Sequence, residues 1–104
     1  MISFIKQLFG SGTTVNLAEL IKNGATIIDV RSKSEFDSGH IEGSLNIPLD
    51  ILKNNLSRFK KDKVIITCCA SGMRSASAKN ILTSNGFQEV YNGGGWRGLQ
   101  NKIK

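Results

Sequence analysis

The sequence predicts an α/β fold, a mostly parallel sheet with helices on both faces. Three observations carry this. Short β-branched apolar runs at residues 25–30 and 63–68 suit strands buried on both sides. Segments with helical spacing of apolar residues separate the strand-like runs. The two patterns alternate along the chain, which calls for crossover connections and parallel pairing. With 104 residues, the chain has room for one core only.

The elements follow in order. Residues 1–12 read as a short N-terminal extension. Ile2, Phe4, Ile5, Leu8 and Phe9 have helical spacing interrupted by Lys6, and Gly10-Ser11-Gly12 makes a flexible joint. The extension lacks the uninterrupted apolar run and cleavage site of a signal peptide. It is expected to lie on the domain as a helix, with a partner or a membrane surface as the alternative contact. The domain proper takes residues 13–104.

Asn16 and Glu19 are spaced as a capping box for a helix with Leu17, Leu20 and Ile21 on its apolar stripe; Asn23-Gly24 ends it. Residues 25–30 form the first strand. Residues 32–38 read as a short helix whose apolar contact is Phe36. Residues 39–43 turn, and residues 44–47 make a brief strand that Pro48 stops. Asp50 is expected to cap a helix bearing Ile51, Leu52, Leu56 and Phe59. Residues 63–68 are the clearest strand. A loop from Cys69 to Ser75 leads into a helix that stops at Asn85-Gly86. Residues 87–91 are the last strand, residues 92–95 a glycine loop, and Trp96 and Leu99 begin a final helix.

Charge is unevenly placed. The net charge is +6, but residues 1–50 carry −2 and residues 51–104 carry +8. A solvated lysine-rich surface is the default reading; a small anion or an acidic partner is the functional one. Nucleic acid is not expected, because the basic residues are scattered without interleaved aromatics. Cys68 and Cys69 are the only cysteines. Neighbouring cysteines rarely form a relaxed disulfide, so a reducing compartment, the cytoplasm, is expected. No apolar run approaches the ~18 residues of a membrane span.

Chemistry concentrates after the second apolar strand. Ligands of open parallel sheets bind beyond the carboxyl ends of the strands. There Cys69, Ala70, Ser71, Gly72, Met73, Arg74 and Ser75 join a strand end to a helix start. The loop amides can form an anion nest, and the helix N-terminus adds positive potential. A cysteine in that field ionises readily, and Arg74 offers a planar fork to an oxyanion. Cys68, at the end of a buried strand, reads as a core residue, with a role as resolving thiol for an oxidised Cys69 if the strand end flexes.

Cys69-Ala-Ser-Gly-Met-Arg74-Ser75 resembles the active-site loop of the rhodanese-like sulfurtransferases, Cys-x-x-Gly-x-Arg-Ser. Three further pieces fall in that family's order: Asp29-Val-Arg31 with Glu35-Phe36, Gly39-His-Ile-Glu-Gly43 running on to Pro48, and Gly93-Gly94 with Trp96. The resemblance covers about residues 15–100. It implies a three-layer rhodanese-like fold with about five strands. It also implies a mechanism in which Cys69 takes a sulfane sulfur from a thiosulfate-like or persulfide donor and passes it to cyanide or a thiol, including an acceptor protein. The amides of residues 70–75 would cradle the transferred group, and Arg74 would bind the donor. No metal and no organic cofactor are implied, and a monomer is expected. The loop departs from the family at Ala70, often an arginine there, which leaves the preferred donor open.

Asp29 and Arg31 are expected to pair and fix the following loop. His40 reads as a structural hydrogen-bonding residue and Trp96 as a packing anchor. Two other functions remain as alternatives. Counted from Cys68 the segment is Cys-x5-Arg, the spacing of cysteine-dependent phosphatases and arsenate reductases. Gly72 at the fourth loop position and the lack of a Trp-Pro-Asp stretch favour the sulfurtransferase register. A non-catalytic binding module is the other alternative.

Overall fold

Caps and apolar spacing set the helices of the computed structural model, which describes residues 15–104. The expected extension at residues 1–12 lies outside the described residues. Asn16 caps α1 (Leu17–Lys22) by accepting from the Glu19 N–H at 3.0 Å. Strand β1 (Thr26–Asp29) follows, then α2 (Lys33–Asp37). Ser32 and Glu35 close a full capping box on α2. Strand β2 (Leu45–Asn46) leads to α3 (Leu49–Leu52), which tightens into a 3-10 helix (Lys53–Arg58). Pro48, not Asp50, holds the N-cap position of α3, and no side chain caps it. Asp50 lies in the first turn instead, where its charge favours the helix dipole.

The order then runs β3 (Val64–Cys69), α4 (Met73–Ser84), β4 (Glu89–Gly95) and α5 (Trp96–Lys102). The described sheet has four strands rather than about five, in the order β2-β1-β3-β4, all parallel. Strand β4 also runs on through residues 92–95, which the sequence gives as a loop. Three glycines make poor strand residues by propensity, but here closeness decides. A Cβ on Gly93 would sit 2.9 Å from the Ile66 and Leu99 side chains and from the Thr67 carbonyl oxygen. One on Gly95 would sit 2.8 Å from the Ala70 carbonyl oxygen. Glycine lets β4 press against β3 and its loop. The pairing slips between Thr67 and Cys69, so β4 fits one extra residue opposite the end of β3.

Helices cover both faces of the sheet. On one side Ile28, Val30, Ile65, Cys69 and Val90 pack with Leu52, Leu56, Ala78 and Leu82 from α3, the 3-10 helix and α4. On the other, Ile27, Ile66 and Cys68 pack with Leu17, Leu20 and Ile21 of α1 and with Trp96 and Leu99 of α5. The chain leaves β1 toward β2, then returns to the other side of β1 for β3. That reversal is the switch point of an open parallel sheet, where a crevice opens between the loops after β1 and β3. Among the described residues, no helix is long and apolar enough to cross a membrane.

Candidate active site

Successive strand residues point to opposite faces, and this separates the two thiols. Cys68 lies with Ile66 and Leu99 on the α1/α5 side. Cys69 lies on the α4 side, facing the start of that helix. Both are free and buried, yet their surroundings differ. Burial pushes the Cys68 thiol up to about 12, with the Asp29 charge acting in the same direction. Cys68 is therefore a neutral thiol at any physiological pH.

The loop wraps the other sulfur. Gly72 adopts φ +103°, a conformation open to glycine, and occupies the N-cap position of α4. This turns the Gly72 N–H onto Cys69 Sγ at 3.0 Å, and the Ser75 N–H reaches it at 3.3 Å. Burial opposes ionisation of Cys69. Hydrogen bonds from the Ser75 hydroxyl and from the amides of Ser75, Gly72 and Ser71 outweigh it and bring the thiol below its ordinary range. The residue is only 1% exposed, while Ala70, Ser71 and Met73 beside it are exposed. The sulfur sits on the floor of a small, amide-lined loop.

Ser75 has one hydroxyl proton and two uses for it. Its Oγ donates to Asn92 Oδ1 at 2.6 Å and lies 3.4 Å from Cys69 Sγ. With a neutral thiol, the S–H donates to Ser75 and Ser75 donates to Asn92. With a thiolate, the hydroxyl turns to the sulfur, and Asn92 Oδ1 keeps the Gly94 N–H at 2.9 Å. Ser75→Ala removes the donor available to the thiolate. The midpoint of iodoacetamide reaction with Cys69 is expected to move up by about one pH unit, with slower reaction at neutral pH. An unmoved midpoint would rule out this role.

Arg74 is already engaged. Its Nη1 and Nη2 donate to Glu35 Oε1 and Oε2 at 2.7 and 3.0 Å, a two-pronged bridge between the loop after β3 and helix α2 after β1. Arg74 and the backbone of Ser32 hold the Glu35 carboxyl down to about 2. Asp29 and Arg31 pair as the sequence reading expects. Arg31 Nη2 donates to Asp29 Oδ2 at 2.7 Å with both side chains buried. The guanidinium also donates to the Glu35 and Gly39 carbonyls and lies 4.8 Å from the Trp96 ring centroid. Arg31 thus tethers the segment that presents Glu35. His40 stacks on Phe36 and donates through Nδ1 to the Phe36 carbonyl at 2.7 Å. Neither His40 nor Trp96 is among the hydrogen-bond partners of Cys69. Among the described residues, no group of three His, Cys, Asp or Glu is placed to hold a metal ion.

Asn92 and the second duty of Glu35 are absent from the sequence reading. Asn92 precedes three glycines and reads as a turn residue, yet it braces the loop by donating to the Gly72 carbonyl at 3.2 Å. Glu35 carries the helix-start signal of Ser-x-x-Glu, which accounts for it locally. Its bond to Arg74 spans 39 positions of sequence.

Residues 13–102 match the rhodanese-like domain family. Uncharacterized protein YqhL of Bacillus subtilis is 42% identical over 81 residues, 77% of this chain and 64% of YqhL, so the chain spans less than two thirds of that relative. Thiosulfate sulfurtransferase GlpE of Ectopseudomonas mendocina is 37% identical over 70% of this chain and 67% of GlpE. The human single-domain sulfurtransferase TSTD1 superposes with a TM-score of 0.76 at 28% identity, covering 85% of this chain and 92% of TSTD1. With a thiol at the floor of a loop between a parallel strand and a helix, and the family match over nearly its full length, the chain belongs to the rhodanese-like domain family.

Proposed function

We propose that this chain is a sulfurtransferase that carries sulfane sulfur as a persulfide on Cys69. The observation that carries the reading is the ring of amide donors on Cys69 Sγ at the N-terminus of α4. Such a ring favours the thiolate and stabilises negative charge on the sulfur that succeeds it. Relatives that act as thiosulfate sulfurtransferases support the same reaction class.

The thiolate attacks the outer sulfur of the donor. The donor's S–S bond breaks, and its electron pair leaves on the remaining fragment, sulfite when the donor is thiosulfate. Cys69 becomes a persulfide whose terminal sulfur carries the negative charge, within reach of the loop amides. An acceptor then attacks that terminal sulfur. Cyanide leaves as thiocyanate, a thiol leaves as a new persulfide, and the Cys69 thiolate returns. No electrons are gained or lost by the protein over the cycle. The 80% exposure of Met73 on the loop offers an apolar contact to a larger thiol or to an acceptor protein.

The test is direct. Incubation with thiosulfate or with methanethiosulfonate should add one sulfur atom to the intact mass, and cyanide should remove it as thiocyanate. A chain that gains no sulfur from either donor is not a sulfurtransferase. The same result is the one a binding module predicts.

A further inference from the structure

We propose that Glu35 is a specificity-determining residue that, by occupying Arg74, selects against dianionic sulfur donors and in favour of singly charged or neutral ones such as persulfides. The inference rests on the sulfur-transfer reading and names the donor class for that site.

The geometry is as follows. Arg74 is the one cation of the loop from Cys69 to Ser75, since Ala70, Ser71, Gly72, Met73 and Ser75 carry no charge. Both of its outward nitrogens are committed to Glu35, at 2.7 and 3.0 Å. The pair joins α2 after β1 to the first turn of α4 after β3, across the crevice where an open parallel sheet receives its ligand. Both side chains are about two-fifths exposed, so they stand at the mouth of the loop rather than inside it. Arg31, the guanidinium that follows β1, is likewise paired, with Asp29.

Charge then decides among donors. The nucleophile is a thiolate, one negative charge. A thiosulfate dianion brings two more into a loop lined by backbone amides, with Arg74 as its one cation. A free Arg74 would offset one of them; a paired Arg74 does not. A thiosulfonate monoanion adds one charge and a protonated persulfide adds none. The Glu35 carboxyl is held so low that no working pH removes its charge.

Two donors of one chemistry separate charge from reactivity. In thiosulfate and methanethiosulfonate the same kind of sulfur is transferred, but the second has a methyl group where the first has a charged oxygen. Each follows the balanced step above, releasing sulfite or methanesulfinate. Single-turnover loading of Cys69 is followed by intact mass. The native chain should load faster from methanethiosulfonate. Glu35→Gln keeps an oxygen to accept from the Ser32 N–H, so the helix start is retained. It should raise thiosulfate loading by about 3- to 10-fold with little change for methanethiosulfonate, and the gain should shrink with added salt. Ala70→Lys adds a charge at an exposed loop position with Glu35 intact, and should shift the donor ratio in the same direction. Equal changes for both donors in both variants, or none, would overturn the charge filter while leaving sulfur transfer standing. Failure of both donors to load Cys69 would instead remove the sulfur-transfer reading itself.

Discussion

Cys69→Ser should abolish persulfide formation and lower turnover by at least ~10⁴-fold, the scale of losing a covalent nucleophile. A serine hydroxyl fits the same hydrogen-bonded position, so the fold is expected to persist and the loss to be chemical. Cys68→Ala is the contrasting variant. It removes one buried atom among Ile27, Ile66 and Leu99, at a cost of about 1 kcal/mol, and should leave loading of Cys69 intact. The two variants therefore separate the registers. Activity that followed Cys68 would support the Cys-x5-Arg chemistry and refute the assignment to Cys69. Intact mass and melting temperature of both proteins decide it.

The largest effect on stability is expected at Asp29. Asp29→Asn leaves the buried Arg31 guanidinium without its counter-charge. Stranding one partner of a buried ion pair costs about 3–5 kcal/mol, against a total of about 5–15 kcal/mol for a domain. A fall in Tm of at least ~12 °C is expected for a chain of this size. Combining Asp29→Asn with Arg31→Met removes the stranded charge and should regain part of the loss. Full recovery would mean that the bonds from Arg31 to the Glu35 and Gly39 carbonyls add nothing; no recovery would mean that charge is not the cause. Because those bonds hold the segment bearing Glu35, the donor ratio should also drift toward that of Glu35→Gln.

Local patterns made most of the fold legible. The β-branched runs gave β1 and β3, Asn16 with Glu19 gave the start of α1, and Asn85-Gly86 gave the end of α4. Each depends on residues within a turn or two of one another. Strand β4 was cut short because its glycines are chosen for close approach to Ile66, Thr67 and Ala70, a reason that exists only once β3 lies beside it. Cys69 and its loop were legible because the nest, the helix start and the nucleophile are contiguous. The bonds from Arg74 to Glu35 and from Ser75 to Asn92 were not, since they join residues 39 and 17 positions apart and leave no spacing signature.

Adjacency in sequence also has a cost for Cys69. Its neighbour lies through the plane of the sheet, sealed among aliphatic side chains and protonated. A thiol so placed faces away from a sulfenic acid on Cys69, and the sequence has no third cysteine. Among the described residues no second thiol faces Cys69 as the resolving thiol of a two-cysteine redox sensor does. Repair of its oxidised nucleophile falls to thiols from outside, the same class of molecule that would accept its sulfur.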